Sequence, residues 1–363
     1  MTFSLDRRGL LQTALMAGLP VAGGACQTAA AQTDGGLRLV SLPTRVFKVA
    51  DLAREGTEAW FVNVAVASEA EIAANVERLE VALFAGQNEV SRRTYPALAA
   101  RTLAIPNPPA AAFRLNEQAP SAPPFFPFAF RIVSRERAAL NVNRMRITIG
   151  LGDAARGDLT VSADIDIGVY EQRTALIFPF RGAGIVTQAG AANGGHRNRS
   201  GQFAVDAMAL SPNYAVQTGE AFAVNNDLVG FGRDLIAPAA GMVVSARGDR
   251  PDQPVPGESN EDYHLPEFRG AGDPGNHVII DHGTGEFTMV AHLMAGSLRV
   301  AAGQRVAQGA PLGRLGNSGD SFAPHVHVQL MDGPRWEFAN ALPCRFSNVN
   351  AQSLNRGEFF MAR

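Results

Sequence analysis

The chain has 363 residues, enough for two ordinary domains, and a formal net charge of -2. Hydrophobic residues make up 46% and charged residues 18%, which supports packed cores and excludes a disordered chain. The near-neutral charge carries no footprint of a nucleic-acid partner, and the single lysine, Lys48, excludes Schiff bases and lysine-borne cofactors beyond that position.

Residues 1–31 read as an export signal. Arg7 and Arg8 precede an apolar run from Gly9 to Ala25, and Ala29-Ala30-Ala31 offers a small-residue cleavage site. The arginine pair makes the signal twin-arginine-like, although Asp6 precedes it. A rival reading is a lipoprotein signal with Cys26 as the lipidated residue. Either predicts an exported protein, periplasmic or attached to the cell envelope, secreted or lipid-anchored. No other segment is long and apolar enough to span a bilayer. Cys26 and Cys344 are the only cysteines, so a disulfide framework is not expected, and any metal must be held by histidine and carboxylate.

From 37 to 172 the pattern predicts an all-β accessory domain, sandwich-like. Leu159, Val161, Ala163, Ile165, Ile167 and Val169 alternate with Thr160, Ser162, Asp164, Asp166 and Gly168, the period of a half-buried strand. Similar alternation runs through Leu79–Leu83 and Met145–Leu151. Ser68 to Leu79 is expected to carry a short helix, and Gln118 to Pro127, rich in proline and phenylalanine, a rigid loop. No catalytic constellation stands out here.

A second domain is expected over 176–345, followed by a C-terminal tail at 346–363. Glycine and proline punctuate it and helical periodicity is nearly absent, which predicts an antiparallel β-sheet core with a groove. Strands are predicted at Met242–Ala246, His277–Asp281, Phe287–His292 and His325–Leu330. Between Arg250 and Gly275 lies a long polar insertion, expected either to form a rim over the groove or to be a solvated loop.

Three segments concentrate the chemistry. The first runs from Gly194 through His196 to Asp206, the second is Val290-Ala291-His292-Leu293, and the third runs from Gly316 to His327. His325 and His327 are two apart in a strand-like run, so both imidazoles face one side, which suits a metal ligand beside a histidine acting on substrate. Asp206 lies in an apolar run, where a buried carboxylate needs a metal or an arginine. His264, His277 and His282 read as structural or solvent-facing, and Cys344 as a small packed thiol.

Taken in order, these segments resemble the LytM/lysostaphin-type zinc endopeptidases, the β-lytic metallopeptidase family. Ile236–Val243, Gly275–Gly283 and Val306–Gly313 resemble the family's connecting hairpins. The resemblance implies zinc held by His196, Asp206 and His327, with a water in the fourth position. Zinc can lower the pKa of such a water from ~16 to about 7. His292 and His325 would stand beside the metal for proton transfer and oxyanion stabilisation. The implied activity is zinc-dependent hydrolysis of peptide bonds in peptidoglycan stem or cross-bridge peptides. Nine residues separate His196 from Asp206, more than is typical of the family, and the departure falls on His196. Val290 stands where the family often has an aromatic residue.

The alternative is a catalytically inactive LytM-like binding protein that controls other cell-wall hydrolases. It predicts no stoichiometric zinc, but no ligand type is missing. A lipoyl-like carrier reading of Val300–Leu315 fails because this domain has no lysine. The N-terminal domain is expected to position the groove or restrict access to it.

Overall fold

The computed structural model describes residues 36–51, 54–105, 125–153, 157–190, 195–220, 222–264, 272–350 and 354–363. The export signal and Cys26 lie outside these residues. Among them no helix is long and apolar enough to cross a membrane. The molecule is built from β-sheets, as its alternating patterns predict.

Nine strands form the N-terminal region: β1 (Leu37–Leu42), β2 (Val46–Phe47), β3 (Val49–Ala50), β4 (Thr57–Ser68), β5 (Ala74–Ala85), β6 (Asn88–Pro96), β7 (Phe125–Arg137), β8 (Arg144–Asp153) and β9 (Gly157–Gly168). One sheet has the order β1-β4-β3, with β7 also on β4; the other has the order β2-β9-β8-β5-β6. Both supply one core: Trp60, Val62 and Val64 from the first pack with Leu79, Ile147, Ile149 and Val161 from the second. The apolar faces of β1, β4 and β7 therefore meet those of β5, β8 and β9 across the layer.

Two local expectations are corrected. Residues 69–73 form no helix, and β5 already begins at Ala74. Backbone pairing with β8 over Ala74–Phe84 outweighs the weak helical preference there. Phe125–Pro127 open β7 rather than a loop; the remainder of the expected loop, 118–124, lies outside the described residues. The α-helix that is described, α1, is a single turn over Ala97–Ala100.

The C-terminal region contains β10 (Gly182–Ala189), β11 (Val205–Ala209), β12 (Asp234–Ile236), β13 (Gly241–Arg247), β14 (His277–Asp281), β15 (Phe287–Ala291), β16 (Arg305–Val306), β17 (Pro311–Arg314), β18 (Val326–Met331), β19 (Ala341–Leu342) and β20 (Phe359–Ala362). Its main sheet runs β16-β13-β14-β15-β18-β11-β10-β20, with β19 on the end of β18. Residues 346–363, set apart by sequence as a tail, contribute β20, which pairs with β10 from Gly182↔Ala362 to Ile185↔Phe359. Phe360 packs edge-on against Phe178, with centroids 4.7 Å apart.

Glu286, fully buried, ties the segment that links the two regions to the C-terminal sheet. It accepts Arg173 N and Thr174 N, both at 2.7 Å, and the Tyr170 hydroxyl. Burial would raise its pKa, but these donors outweigh burial and hold it below the ordinary glutamate value.

Candidate metal centre and active site

β18 lies between β11 and β15, and that placement builds the site. In the β11–β18 ladder Asp206 stands directly opposite His327. On the other side, Ala291 of β15 stands opposite His327. His292 follows Ala291 at once, so one register brings the carboxylate and two imidazoles together.

The predicted strand at Phe287–His292 stops one residue early. His292 adopts φ 61°, in the left-handed region, a conformation that costs a non-glycine residue about 1–3 kcal/mol. Its surroundings enforce it: His292 N donates to Pro274 O at 3.1 Å, and Gly316 N donates to His292 O at 3.0 Å. Beneath it two loops pack back to back at Gly275 and Gly319, both with positive φ. A Cβ at Gly319 would lie 2.4 Å from Gly275 N, so no side chain fits.

Asp206 is the hub. His196 Nε2 lies 2.9 Å from its Oδ2, and His327 Nδ1 lies 2.8 Å from its Oδ1. His325 Nε2 is 3.8 Å from Oδ2. The strand expected from His325 begins instead at Val326, yet His325, just before β18, and His327 within it both reach the same carboxylate. The His292 and His325 rings have centroids 4.6 Å apart. His196, Asp206 and His327 offer ligand atoms that all lie within 4.8 Å of one another. The loop from β10 to β11 therefore spans the stretched His196–Asp206 spacing without separating the two residues.

The electrostatics follow from burial and charge. Burial disfavours a charged Asp206, but the imidazoles of His196, His325 and His327 outweigh it and hold the carboxyl well below the usual range. Burial also opposes charging of His196, where Asp206 prevails and raises the pKa. His292 is pushed well below the usual histidine value by burial, then by His325 and His327. His325 is pushed down by burial, against the pull of Asp206.

The residues fit zinc on a specific observation. His327 Nε2 donates to Gln329 Oε1 at 2.7 Å. A neutral ring then turns the lone pair of Nδ1 toward a carboxylate oxygen 2.8 Å away. Two acceptors so close need a proton or a metal cation between them, and the two histidines and carboxylate gathered here are ligands that suit a metal. Two histidines and one carboxylate with an open fourth position form a catalytic zinc set. The buried Gln329 partner fixes the ring's orientation from behind. Gln329 was missed at the sequence level, although the period-two rule that linked His325 to His327 extends to it.

The remaining sequence candidates separate from this cluster. His277 Nδ1 donates to Gly275 O at 2.9 Å, and His282 Nδ1 to Ala240 O at 2.8 Å. His264 Nε2 lies 3.0 Å from Ser259 Oγ. Burial pushes the Cys344 thiol up to about 12. The described part of the insertion is hydrogen-bonded to the loop before His325: Gln253 N donates to Asn317 O at 2.8 Å and Gly257 N to Phe322 O at 2.7 Å.

The loop carrying His196 is held from outside the sheet. Asn340 Oδ1 accepts Arg199 Nε, Thr44 N and Thr44 Oγ1, each at 3.1 Å. Asn63 Nδ2 of β4 donates to Arg197 O at 3.2 Å. The N-terminal region therefore touches the ligand loop, through contacts that no sequence motif announces.

The family model of peptidase family M23 matches residues 217–337. That span contains His292, His325 and His327 but begins after His196 and Asp206, which the fold brings to His327. No curated protein matches the chain. Among solved structures, the catalytic domain of the prophage-encoded M23 protein EnpA from Enterococcus faecalis is 18% identical, with 48% of this chain and 98% of that chain covered and a TM-score of 0.29. The catalytic domain of lysostaphin from Staphylococcus simulans is 20% identical, covering 34% and 86%, with a TM-score of 0.20. A zinc-containing peptidase from Vibrio cholerae is 10% identical, covering 83% and 85%, with a TM-score of 0.26. These TM-scores are low, and the assignment rests on the family match and the metal-binding residues. The chain carries a peptidase domain of family M23 and is a zinc metallopeptidase, with His196, Asp206 and His327 gathered to hold the metal.

Proposed function

We propose that this metallopeptidase hydrolyses peptide bonds in the peptide part of bacterial cell wall, in stem or cross-bridge peptides, and that it works outside the cytoplasm. The observation that carries hydrolysis is the matched anchoring of His292 and His325. His292 Nδ1 donates to Ser318 O at 2.8 Å, and His325 Nδ1 donates to Ala323 O at 2.7 Å. Each carbonyl fixes the proton on Nδ1 and leaves the lone pair of Nε2 for the reaction.

Zinc, when bound, supplies a Lewis acid and makes a water acidic enough to lose a proton near neutral pH. His196, Asp206 and His327 hold it. An Nε2 of the His292–His325 pair accepts the proton of the attacking water and returns it to the leaving amine. While protonated, that imidazole donates to the oxygen of the tetrahedral carbon. The substrate class is supported by the family match and by the export-like residues 1–31.

The test is metal content of the purified protein together with digestion of isolated peptidoglycan, its products identified by mass. We expect about one zinc per chain and new peptide termini, with both absent in Asp206→Ala. Stoichiometric zinc with intact peptidoglycan, while an unrelated peptide is cut, would refute the substrate class.

A further inference from the structure

Next to His196, the seam between the two regions gathers positive charge that has no counter-ion among the described residues. Arg197 follows His196 in sequence, and its carbonyl is held by Asn63 of β4. Across the β4–β7 ladder, Asn63 is paired with Arg131. Such cross-strand neighbours have Cβ atoms about 5 Å apart. Arg131 Nε and Asn63 Oδ1 are both buried, and among the described residues neither has a hydrogen-bond partner. Arg131 is only partly exposed, while Arg197 is exposed. Burial, and then the like charge of Arg197, push the Arg131 guanidinium below its usual range.

Several other arginines of the N-terminal region have a carboxylate partner. Arg78 and Arg92 pair with Glu80, Arg93 with Glu136, Arg135 with Asp51 and Arg146 with Asp164. Near His196 the carboxylate besides Asp206 is Asp320, which accepts Ser259 Oγ at 3.0 Å and lies 3.8 Å from His264. Two like charges gathered at Asn63, with no anion among the described residues, are unfavourable on their own. A ligand carboxylate relieves that repulsion and meets donors in the fork geometry that guanidinium offers.

We infer that Arg131 and Arg197 form a carboxylate-binding subsite beside the metal centre, which seats a free carboxylate of the peptide being cleaved. The inference rests on the peptidase reading and adds the substrate's chemistry: a peptide carrying an anionic terminus or side chain close to the scissile bond. Anchoring that charge one residue from a metal ligand sets the register of the peptide against His292 and His325. It also gives the N-terminal region a direct part in substrate selection, through Arg131.

The test uses the full zinc-loaded chain and one cross-linked dimer of cell-wall peptides in two forms, with free carboxylates or with those groups converted to carboxamides. The KM for the carboxylate form is expected to be lower by about tenfold or more. That difference collapses in Arg197→Gln and in Arg131→Gln, with zinc content unchanged. Arg197 is exposed, so its variant decides the question even where Arg131→Gln fails to fold. Equal KM values in the parent, or an undiminished difference in Arg197→Gln, overturn the inference. If neither form is hydrolysed, equilibrium binding of the same two peptides becomes the readout. Tighter binding of the carboxylate form by the parent, lost in Arg197→Gln, supports the subsite even as the substrate reading fails; equal binding overturns it.

Discussion

The N-terminal sheets and the C-terminal sheet bury different things. In the first, buried polar or charged residues are few: Asp51, Ser68, Ser134 and Asp153. Its core is the meeting of two alternating apolar faces, and its charges pair across the strands outside. The second region holds all seven histidines and buries Asp206, Asn276, Glu286, His292, Asn317, Ser318, His327 and Gln329. Apolar burial needs only the right face and volume, whereas each buried polar group needs a partner in place. The comparison teaches where specificity resides: one region tolerates any well-packed apolar set, and the other depends on individual bonds.

Substitutions should separate these two modes. The largest effect belongs to His327→Ala, which removes a metal ligand and leaves Asp206 short of a partner. Zinc should be absent by metal analysis and peptide hydrolysis should fall to background; His292→Ala should retain zinc and still lose about 100-fold or more in kcat. Retained zinc in His327→Ala would break the site assignment.

Ile149→Ala in the N-terminal core should lower stability by about 2–5 kcal/mol while zinc content stays that of the parent. Calorimetry beside metal analysis checks it, and a loss of zinc in the folded variant would show that the two regions are not separable in this way.

Gln329→Leu is the intermediate case, since it keeps the volume and removes the acceptor behind His327. Zinc affinity should fall by about 10–100-fold with little change in the apolar core. A competition titration with a chelator measures it.

The smallest effect is the pH response of Glu286. Its pKa lies below the ordinary 4.5 in the folded protein, so its stabilising effect is present at neutral pH and is lost as pH falls through the folded value. Glu286→Gln should therefore have a lower Tm than the parent at pH 7, and the gap should narrow in acid. A gap that widens as the pH falls would contradict the assigned direction.

Much of this was legible beforehand. Alternation over Leu159–Ile167 and Met145–Leu151 gave strands β9 and β8 because period two is a property of the local chain, whereas Val169, the last residue of the expected run, lies beyond β9 and is exposed. His277–Asp281 forms a strand with the expected bounds. The i, i+2 spacing of His325 and His327 pointed to one site although His325 lies just before β18, and the apolar run around Asp206 showed that its carboxylate needs a partner. The short helix expected between Ser68 and Leu79 failed because pairing with β8, a long-range term, overrode local preference.

By itself, then, the sequence determined the all-β character, the order of the metal-binding segments and the residue types that could hold zinc. Tertiary structure decided which of them meet. Asp206 and His327 are 121 positions apart, and only the β11–β18 register sets one opposite the other. The left-handed turn at His292, the strand made by Phe359–Ala362, the contact of Asn63 with the His196 loop and that of Thr44 with Asn340, which holds Arg199 of that loop, are likewise settled by packing between distant segments. Local periodicity carries the direction of a side chain within its own strand; it carries no information about which strand arrives beside it.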